Sequence, residues 1–431
     1  MRVYVESYGC AMNMADGQLM AELLAEAGHT LVEEPREADV IILNTCTVRA
    51  DTERRMVKRI SELLALGKRL VVAGCLASAQ PGLVRKISPE ISLLSARAVE
   101  AVVEAVEAEG PVYILEPRPR RRLPSYSNRL ISTIPIAEGC AGSCAYCIVR
   151  VARGPLRSYR PEAITRAVEE AVKRGAREVR LTAQDTGVYG LDIGTDLAEL
   201  LRAVCAVEGR FMIRVGMMNP DAALRILDEL LDAYEDPKIY KFIHLPVQTG
   251  DDELLKAMGR RYTVQDFLTI VEAFRRRFPE LSLATDVMVG LPGEDEEAFE
   301  RTLSLLERVK PDKTHVARFT PRPHTRAAAM PKQVPEPEKK RRSRLTSALA
   351  LKIGLEKNRA LIGRRLRCLV LDHGREEGQL KARSMNYKPV YFIGPKCLLG
   401  EFVELKIIDA GPYFLLGRSA NRCSTLYAST A

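Results

Sequence analysis

The sequence predicts an α/β protein in three parts: a small N-terminal parallel α/β sheet domain, a central partial (β/α)6 barrel, and a small C-terminal antiparallel β-barrel. Three observations carry this. Short aliphatic strands alternate with amphipathic helical stretches over residues 1–117, and the alternation recurs six times from residue 131 to about 330. Beyond residue 360 the apolar period shortens to two, with Gly394-Pro395 and Gly411-Pro412 as turns. A chain of 431 residues is long enough for two to four such domains.

In the first part, strands are expected at Val3–Ser7, Val40–Leu43 and Leu70–Ala73, with helices at Gly17–Ala27 and Thr52–Leu66. Residues 118–130 read as a basic, proline-rich linker. The core, residues 131–345, carries strand candidates at Ser132–Ala137, Glu178–Thr182, Met212–Gly216, Phe242–Leu245, Leu283–Met288 and His315–Phe319. Helical stretches separate them at Pro161–Arg174, Asp196–Val207, Asp221–Tyr234, Val264–Phe278 and Asp295–Val309. A barrel would gather its reactive groups at the C-terminal strand ends. An open doubly wound sheet gives the same string of elements. Residues 360–420 show strands at Leu366–Leu371, Gln379–Arg383, Val390–Ile393 and Val403–Ile408, a size that suits a nucleic-acid-binding barrel.

The formal charge of +9 with 46% hydrophobic residues excludes global disorder. No uncharged apolar run approaches the ~20 residues that cross a bilayer, and Met1–Glu6 lacks the apolar core of a signal peptide. A cytoplasmic protein with no membrane partner is expected, and disulfides do not persist there. Ten cysteines therefore need metal, catalysis or burial. The positive excess gathers in three runs: Arg118, Arg120, Arg121, Arg122 and Arg129 among prolines; Lys339-Lys340-Arg341-Arg342-Ser343-Arg344 after Pro331, Pro335 and Pro337; and Arg364-Arg365-Leu366-Arg367. The first two read as linkers. All three lie at segment borders, where a polyanion such as RNA is gripped by several domains at once.

Cys140, Cys144 and Cys147 follow the first core strand in CxxxCxxC spacing. Three thiolates so spaced wrap one side of a cubane iron–sulfur cluster and leave the fourth iron open. Zinc needs four N/S ligands, and the five histidines (His29, His244, His315, His324 and His373) never pair at ligand spacing. Cys10, Cys46 and Cys75 each lie just past a strand of the first part, beside Gly or Asn. Neighbouring strand tips lie about 5 Å apart, so these thiols can converge on a second cluster; unrelated burial is the alternative. Cys205, Cys368, Cys397 and Cys423 have no partner at useful spacing, and Cys423 lies in a tail, Asn421–Ala431, expected to be mobile.

CxxxCxxC after the first strand of a six-unit βα array, with Val289-Gly290-Leu291-Pro292-Gly293-Glu294 after the fifth, resembles the radical S-adenosylmethionine (SAM) superfamily. The resemblance implies that SAM binds the open iron and that Tyr146 lies by the adenine. With the N-terminal cysteines and the three-part order, the whole chain resembles the methylthiotransferases, whose C-terminal β-module is called TRAM. Asp185–Asp196, Met217-Met218-Asn219-Pro220 and Ala152-Arg153-Gly154 are similar to the archaeal and eukaryotic branch. Members of that branch place a methylthio group at C2 of N6-threonylcarbamoyladenosine, position 37 of certain tRNAs.

What the resemblance implies is two 4Fe–4S clusters, one on Cys140, Cys144 and Cys147 that cleaves SAM homolytically, and an auxiliary one on Cys10, Cys46 and Cys75 that presents an exchangeable sulfur. A second SAM methylates that sulfur. Polar residues at expected strand ends, Gln184, Asp185, Asn219, Gln248 and Asp286, join Tyr146 as candidates for binding SAM, although Asn219 and Asp286 can equally cap elements. RNA contacts are expected from Arg118, Arg120, Arg121, Arg122, Lys339, Lys340, Arg341, Arg342, Arg364 and Arg365. The expected partners are the anticodon loop of a tRNA and a low-potential electron donor, with the chain a monomer. No further catalytic side chain is assigned. Competing readings are a methylthiotransferase acting on isopentenyl-adenosine tRNA or a ribosomal-protein aspartate, a one-cluster radical SAM enzyme, and a non-catalytic RNA-binding zinc protein.

Overall fold

The computed structural model describes residues 1–124 and 130–419. The expectations placed on Arg129, Cys423 and the tail Asn421–Ala431 lie outside them.

The N-terminal domain runs β1 (Arg2–Ser7), α1 (Ala11–Glu26), β2 (Thr30–Leu31), β3 (Val40–Thr45), α2 (Ala50–Leu64), β4 (Arg69–Gly74), α3 (Cys75–Ala79), α4 (Pro81–Ile87), β5 (Ser92–Ser95), α5 (Val102–Glu107) and β6 (Tyr113–Ile114). All six strands are parallel, in the order β2-β1-β3-β4-β5-β6. β3 is buried along its whole length, because helices cover both faces of a parallel sheet. Helix α1 starts six residues earlier than its apolar pattern suggests. Asn13 and Asp16 face inward in its first turns and make polar contacts there, which breaks the period.

The core continues with β7 (Ile131–Pro135), β8 (Ala137–Glu138), α6 (Val149–Arg153), β9 (Arg157–Ser158), α7 (Pro161–Lys173), β10 (Glu178–Thr182), α8 (Leu197–Cys205), β11 (Met212–Val215), α9 (Pro220–Arg225), α10 (Leu227–Ala233), β12 (Phe242–His244), α11 (Asp252–Ala257), α12 (Val264–Arg277), β13 (Ser282–Val289), α13 (Glu296–Val309) and β14 (Lys313–Arg318). Parallel pairing orders β11-β10-β7 and β12-β13-β14, and parallel bridges Ile213–Ile239 and Met217–His244 join the halves into a curved six-stranded partial barrel. One apolar cluster, including Ile134, Val179, Leu181, Ile213, Leu283 and Phe274, lies between these strands and their helices. The first expected core strand divides at Ile136, and the helix expected at Asp221–Tyr234 divides at Ile226. Cys205 is buried, in α8.

The run Lys339–Arg344 is not a linker. It lies in α14 (Glu336–Arg359), a 24-residue helix packed on β14, α13 and the C-terminal domain. Pro335 is its N-cap and Pro337 sits in the first turn, where the missing N–H costs nothing, so these prolines mark a helix start. β15 (Arg365–His373), β16 (Gln379–Ser384), β17 (Pro389–Ile393), β18 (Phe402–Ala410) and β19 (Leu415–Ser419) form the closed C-terminal barrel, antiparallel except where β17 meets β19. No helix among the described residues is long and apolar enough to cross a membrane.

Asp312 ties these parts together. Its carboxylate takes Lys357 of α14 at 2.6 Å and Lys388 of the C-terminal barrel at 2.7 Å. Burial works to raise its pKa, but the two ammonium groups win and hold it below the ordinary carboxylate value. A depressed folded-state pKa means that this stabilisation is complete above the unfolded value, about pH 4, and is lost as pH falls through the folded one. Asp312→Asn is therefore expected to lower stability by about 3 kcal/mol at pH 7. Denaturant unfolding should show the variant and native proteins converging at low pH.

Candidate functional site

The register of β1, β3 and β4 pairs Ser7 with Asn44 and Thr45 with Gly74, so the three strands end in one row. Cys46 and Cys75 are the next residues after β3 and β4, and Cys10 caps α1 beside them. Gly74 has φ +87°, and a Cβ there would meet Asn44 Oδ1 at 2.3 Å and Thr45 O at 2.7 Å, so the tip demands glycine. Asn13 Nδ2 donates to Tyr8 O and Thr45 O, each at 2.8 Å, and the Cys75 thiol donates to Asn13 Oδ1 at 3.6 Å.

The core supplies the rest of this wall. Arg153, the last residue of α6, donates from Nη2 to Asn13 Oδ1 and Asp16 Oδ2, both at 2.6 Å. Its guanidinium also acts electrostatically on Cys10, Cys46 and Cys75. Arg322, buried in the loop after β14, donates to Thr47 Oγ1 at 2.9 Å and to Glu53. Cys75 and Ala79 of α3 pack directly on Ile148 and Ala152 around α6. The helix that follows the N-terminal thiols thus sits against the helix that follows CxxxCxxC.

The Cys140–Cys147 loop leaves β8 and enters α6. The Gly142 N–H donates to Cys140 Sγ at 3.2 Å, while Ala145 N donates to Met258 O at 2.7 Å and Arg326 Nη2 to Ser143 O at 2.9 Å. Burial pushes the Cys75 and Cys140 thiols up to about 11 and raises Cys46 and Cys147 as well. Such thiols keep their protons at neutral pH unless a soft cation takes their place. Each set offers three thiols, the donor number that an iron–sulfur cluster with one open iron takes. Cys75 lies beside residues with buried polar atoms that have no partner, Asn44 Oδ1 and Arg153 Nη1, and Gln184 Oε1, next to Asp185 in sequence, is likewise buried without one.

Tyr146, Asp185 and Asn219 come together at the strand tips. Asp185 accepts from Asn219 Nδ2 at 2.6 Å and from the Gly187 and Asn219 N–H groups at 3.0 Å; burial raises its pKa even so. Arg260 joins this group, donating to Asn219 Oδ1 and to the Tyr146 hydroxyl. Arg260 escaped the sequence reading because Gly259-Arg260-Arg261-Tyr262 lies in a loop between two helices rather than at a strand end. Gln248 sits at the rim with φ +71°, its backbone bonded to Asp286 O and to Met288 N. Asp286 is not with the tip residues. It faces the barrel interior, bound by His244 and His315.

The expected RNA contacts divide. Arg120 is 4% exposed and bonded to Asp16 at 2.7 Å and to Glu138, so no phosphate reaches it. Lys339 and Arg342 are also turned inward: Lys339 packs on Gly290, where a Cβ would lie 2.3 Å from its Cγ, and Arg342 bonds Glu294 of the glycine-rich loop at 2.9 Å. These three are corrections to the sequence reading. Arg118, Arg122, Arg341 and Arg364 are paired at the surface with Glu104, Glu26, Glu296 and Glu280. Arg121, Lys340 and Arg365 are exposed and make no ion pair among the described residues.

Three family models match in chain order: the uncharacterized protein family UPF0004 over residues 2–96, the radical SAM superfamily over 134–306, and the TRAM domain over 359–419. In fold, the chain is similar to the radical SAM methyltransferase TsrM of Kitasatospora setae, with a TM-score of 0.56 at 15% identity over 88% of this chain and 79% of that one. Among curated relatives, the probable threonylcarbamoyladenosine tRNA methylthiotransferase of Pyrococcus horikoshii is 47% identical over 96% of this chain and 99% of its own. That of Methanocaldococcus jannaschii is 43% identical over 97% and 96%. The threonylcarbamoyladenosine tRNA methylthiotransferase of Xenopus laevis is 34% identical over 97% and 77%. With identity this high over nearly the full length of both chains in the two archaeal cases, the protein belongs to the threonylcarbamoyladenosine tRNA methylthiotransferase family of radical SAM enzymes.

Proposed function

We propose that this enzyme replaces the C2 hydrogen of N6-threonylcarbamoyladenosine at position 37 of tRNA with a methylthio group, using SAM and two 4Fe–4S clusters. One observation carries the two-cluster reading: Cys75 of the N-terminal triad packs, through α3, on α6, which follows the CxxxCxxC loop. Cys140, Cys144 and Cys147 would hold the SAM-cleaving cluster, and Cys10, Cys46 and Cys75 the auxiliary one. When bound, they supply one-electron cleavage of SAM and a sulfur carrier, chemistry no ordinary base offers at a carbon without an acidic proton.

The chain's own residues prepare the mouth. Asp185 and Asn219 fix Arg260, and Arg260 fixes the Tyr146 ring beside the last cysteine, a platform suited to adenine. Arg153 and Arg322 hold the N-terminal domain so that its thiols border that mouth. A base that enters must leave its stack, so the substrate is an unpaired loop nucleotide. Arg121, Lys340 and Arg365, which are exposed, are the remaining candidates from the basic runs for phosphate contact. The reaction needs a low-potential electron donor.

Nucleoside mass spectrometry of tRNA from a deletion strain tests the substrate. The methylthio derivative of threonylcarbamoyladenosine should vanish, leave its unmethylthiolated precursor, and return on complementation. Its persistence refutes the substrate assignment, and loss of an isopentenyl derivative instead reassigns it.

A further inference from the structure

Strand alternation gives the partial barrel a concave face that the SAM site does not use. Val179, Leu181, Ile213, Val215, Leu283 and Val287 pack outward against the helices. Their neighbours Arg180, Arg214, His244 and Asp286 therefore point into the lumen, where Lys313 and His315 join them from β14. The C-terminal barrel packs under the N-terminal strand ends through Tyr240, Phe242, Met385 and Tyr387. It adds two more cations at the floor, Lys381 and Arg383.

The charges do not balance. Glu178 is taken by Arg180 at 2.6 Å and by the Tyr240 hydroxyl at 3.0 Å. Asp286 Oδ1 contacts His244 Nε2 at 3.0 Å and His315 Nδ1 at 2.8 Å. Arg214, Lys313, Lys381 and Arg383 make no ion pair among the described residues. Arg214 instead lies over Phe242 at 5.5 Å and Tyr387 at 6.0 Å, and Arg383 over Tyr387 at 4.5 Å. Burial, with Arg383 and Arg214, holds the Lys313 ammonium below its usual range. Cations packed this closely, Lys313 exposed and Arg214, Lys381 and Arg383 partly buried, leave room in charge for an anion.

Depth identifies which anion. Lys313 pairs with Ala284, four residues below Met288 at the tip of β13. At about 3.3 Å per residue, Lys313 lies about 13 Å along the strand beneath the mouth. Backbone phosphates of a flipped nucleotide would stay outside the barrel, and a SAM held by the Cys140, Cys144 and Cys147 set would keep its carboxylate with that set. A substituent hanging from the base reaches inward. We propose that Arg214 and Lys313, supported by Arg383 of the C-terminal barrel and by His315, hold the carboxylate at the end of the N6-threonylcarbamoyl group. This rests on the substrate reading above and deepens it. It also supplies a rejection device, since an isopentenyl base would leave these cations unpaired.

The test uses anaerobically reconstituted enzyme and anticodon stem-loop RNAs that carry, at position 37, either the threonylcarbamoyl group or its carboxamide analogue. The native enzyme should favour the carboxylate RNA in kcat/KM by about tenfold or more. The double variant Arg214→Gln/Lys313→Gln should bring the two RNAs together, mainly through KM, and Arg214→Lys should retain a preference. A variant that keeps the full preference, or loses both RNAs in equal proportion, overturns the proposal, the latter by assigning these cations to phosphates or to folding. If the double variant loses cluster iron, the native enzyme decides: a carboxylate-to-carboxamide ratio near one overturns it. A native enzyme inactive on threonylcarbamoyl RNA would instead refute the substrate reading itself, and this proposal with it.

Discussion

Cys46→Ala is expected to eliminate the methylthio nucleoside while 5′-deoxyadenosine release from SAM continues. Cys46 is buried one residue past the end of β3, in line with Cys75 past β4, in a different domain from the CxxxCxxC loop. Alanine removes one of three thiols from the N-terminal set and leaves Cys140, Cys144 and Cys147 in place, so bound iron and sulfide should fall by roughly half. Cys144→Ala should remove both products, because the remaining set cannot cleave SAM. Iron and sulfide analysis, with product chromatography, reads both variants. Full iron in Cys46→Ala would make the N-terminal thiols structural and leave a one-cluster enzyme. Zinc in place of iron in the native protein would end the radical reading.

The parts of the site built on periodic elements were legible in the sequence. The placement of Cys10, Cys46 and Cys75 past aligned strand ends is readable because short β-branched runs mark strand ends, and parallel strands align their ends. Cys140, Cys144 and Cys147 declared themselves by spacing. Misreadings came where one residue type serves two purposes. Proline before Lys339 looked like a linker signal, yet it starts α14. Asn13 and Asp16 look like surface residues in one dimension, while in the fold they are the polar joint between two domains. Arg120 and Arg342 could not be told from solvent-facing cations, because their acidic partners, Asp16, Glu138 and Glu294, come from elsewhere in the chain. A basic run records composition; whether a charge is free depends on contacts between distant segments. The lumen cations were missed for the same reason: Arg180, Arg214, Lys313 and Arg383 are scattered singly over two domains and form no run at all.

Arg120→Ala should cost about 3–5 kcal/mol of stability, far more than removal of exposed Arg121. Arg120 and Asp16 are 4% and 1% exposed at the side chain, and Arg153, also 1% exposed, completes the cluster with Glu138. One guanidinium here neutralises acids from both domains, Asp16 from α1 and Glu138 from β8. Without it, Glu138 is left buried without its bonded cation while Arg153 stays on Asp16, and an uncompensated buried charge is among the most destabilising changes a fold can suffer. Lysine should rescue only in part: both carboxylates are bonded from the single Nη1, which an ammonium can imitate, but it has no counterpart to the Nε–H that donates to Arg122 O. The joint also borders Cys75 through Arg153, so the damage should spread to function: Arg120→Ala protein should retain less iron in the N-terminal set than in the CxxxCxxC set. Urea unfolding and limited proteolysis near residue 120, compared with Arg121→Ala, measure the effect. A midpoint shift equal to that of Arg121→Ala would return Arg120 to the surface and to RNA. A large shift in Arg120→Ala alone means that any loss of tRNA affinity in an Arg120, Arg121, Arg122 triple variant reports a broken domain joint, and that Arg121 is the residue of the three to test for phosphate contact.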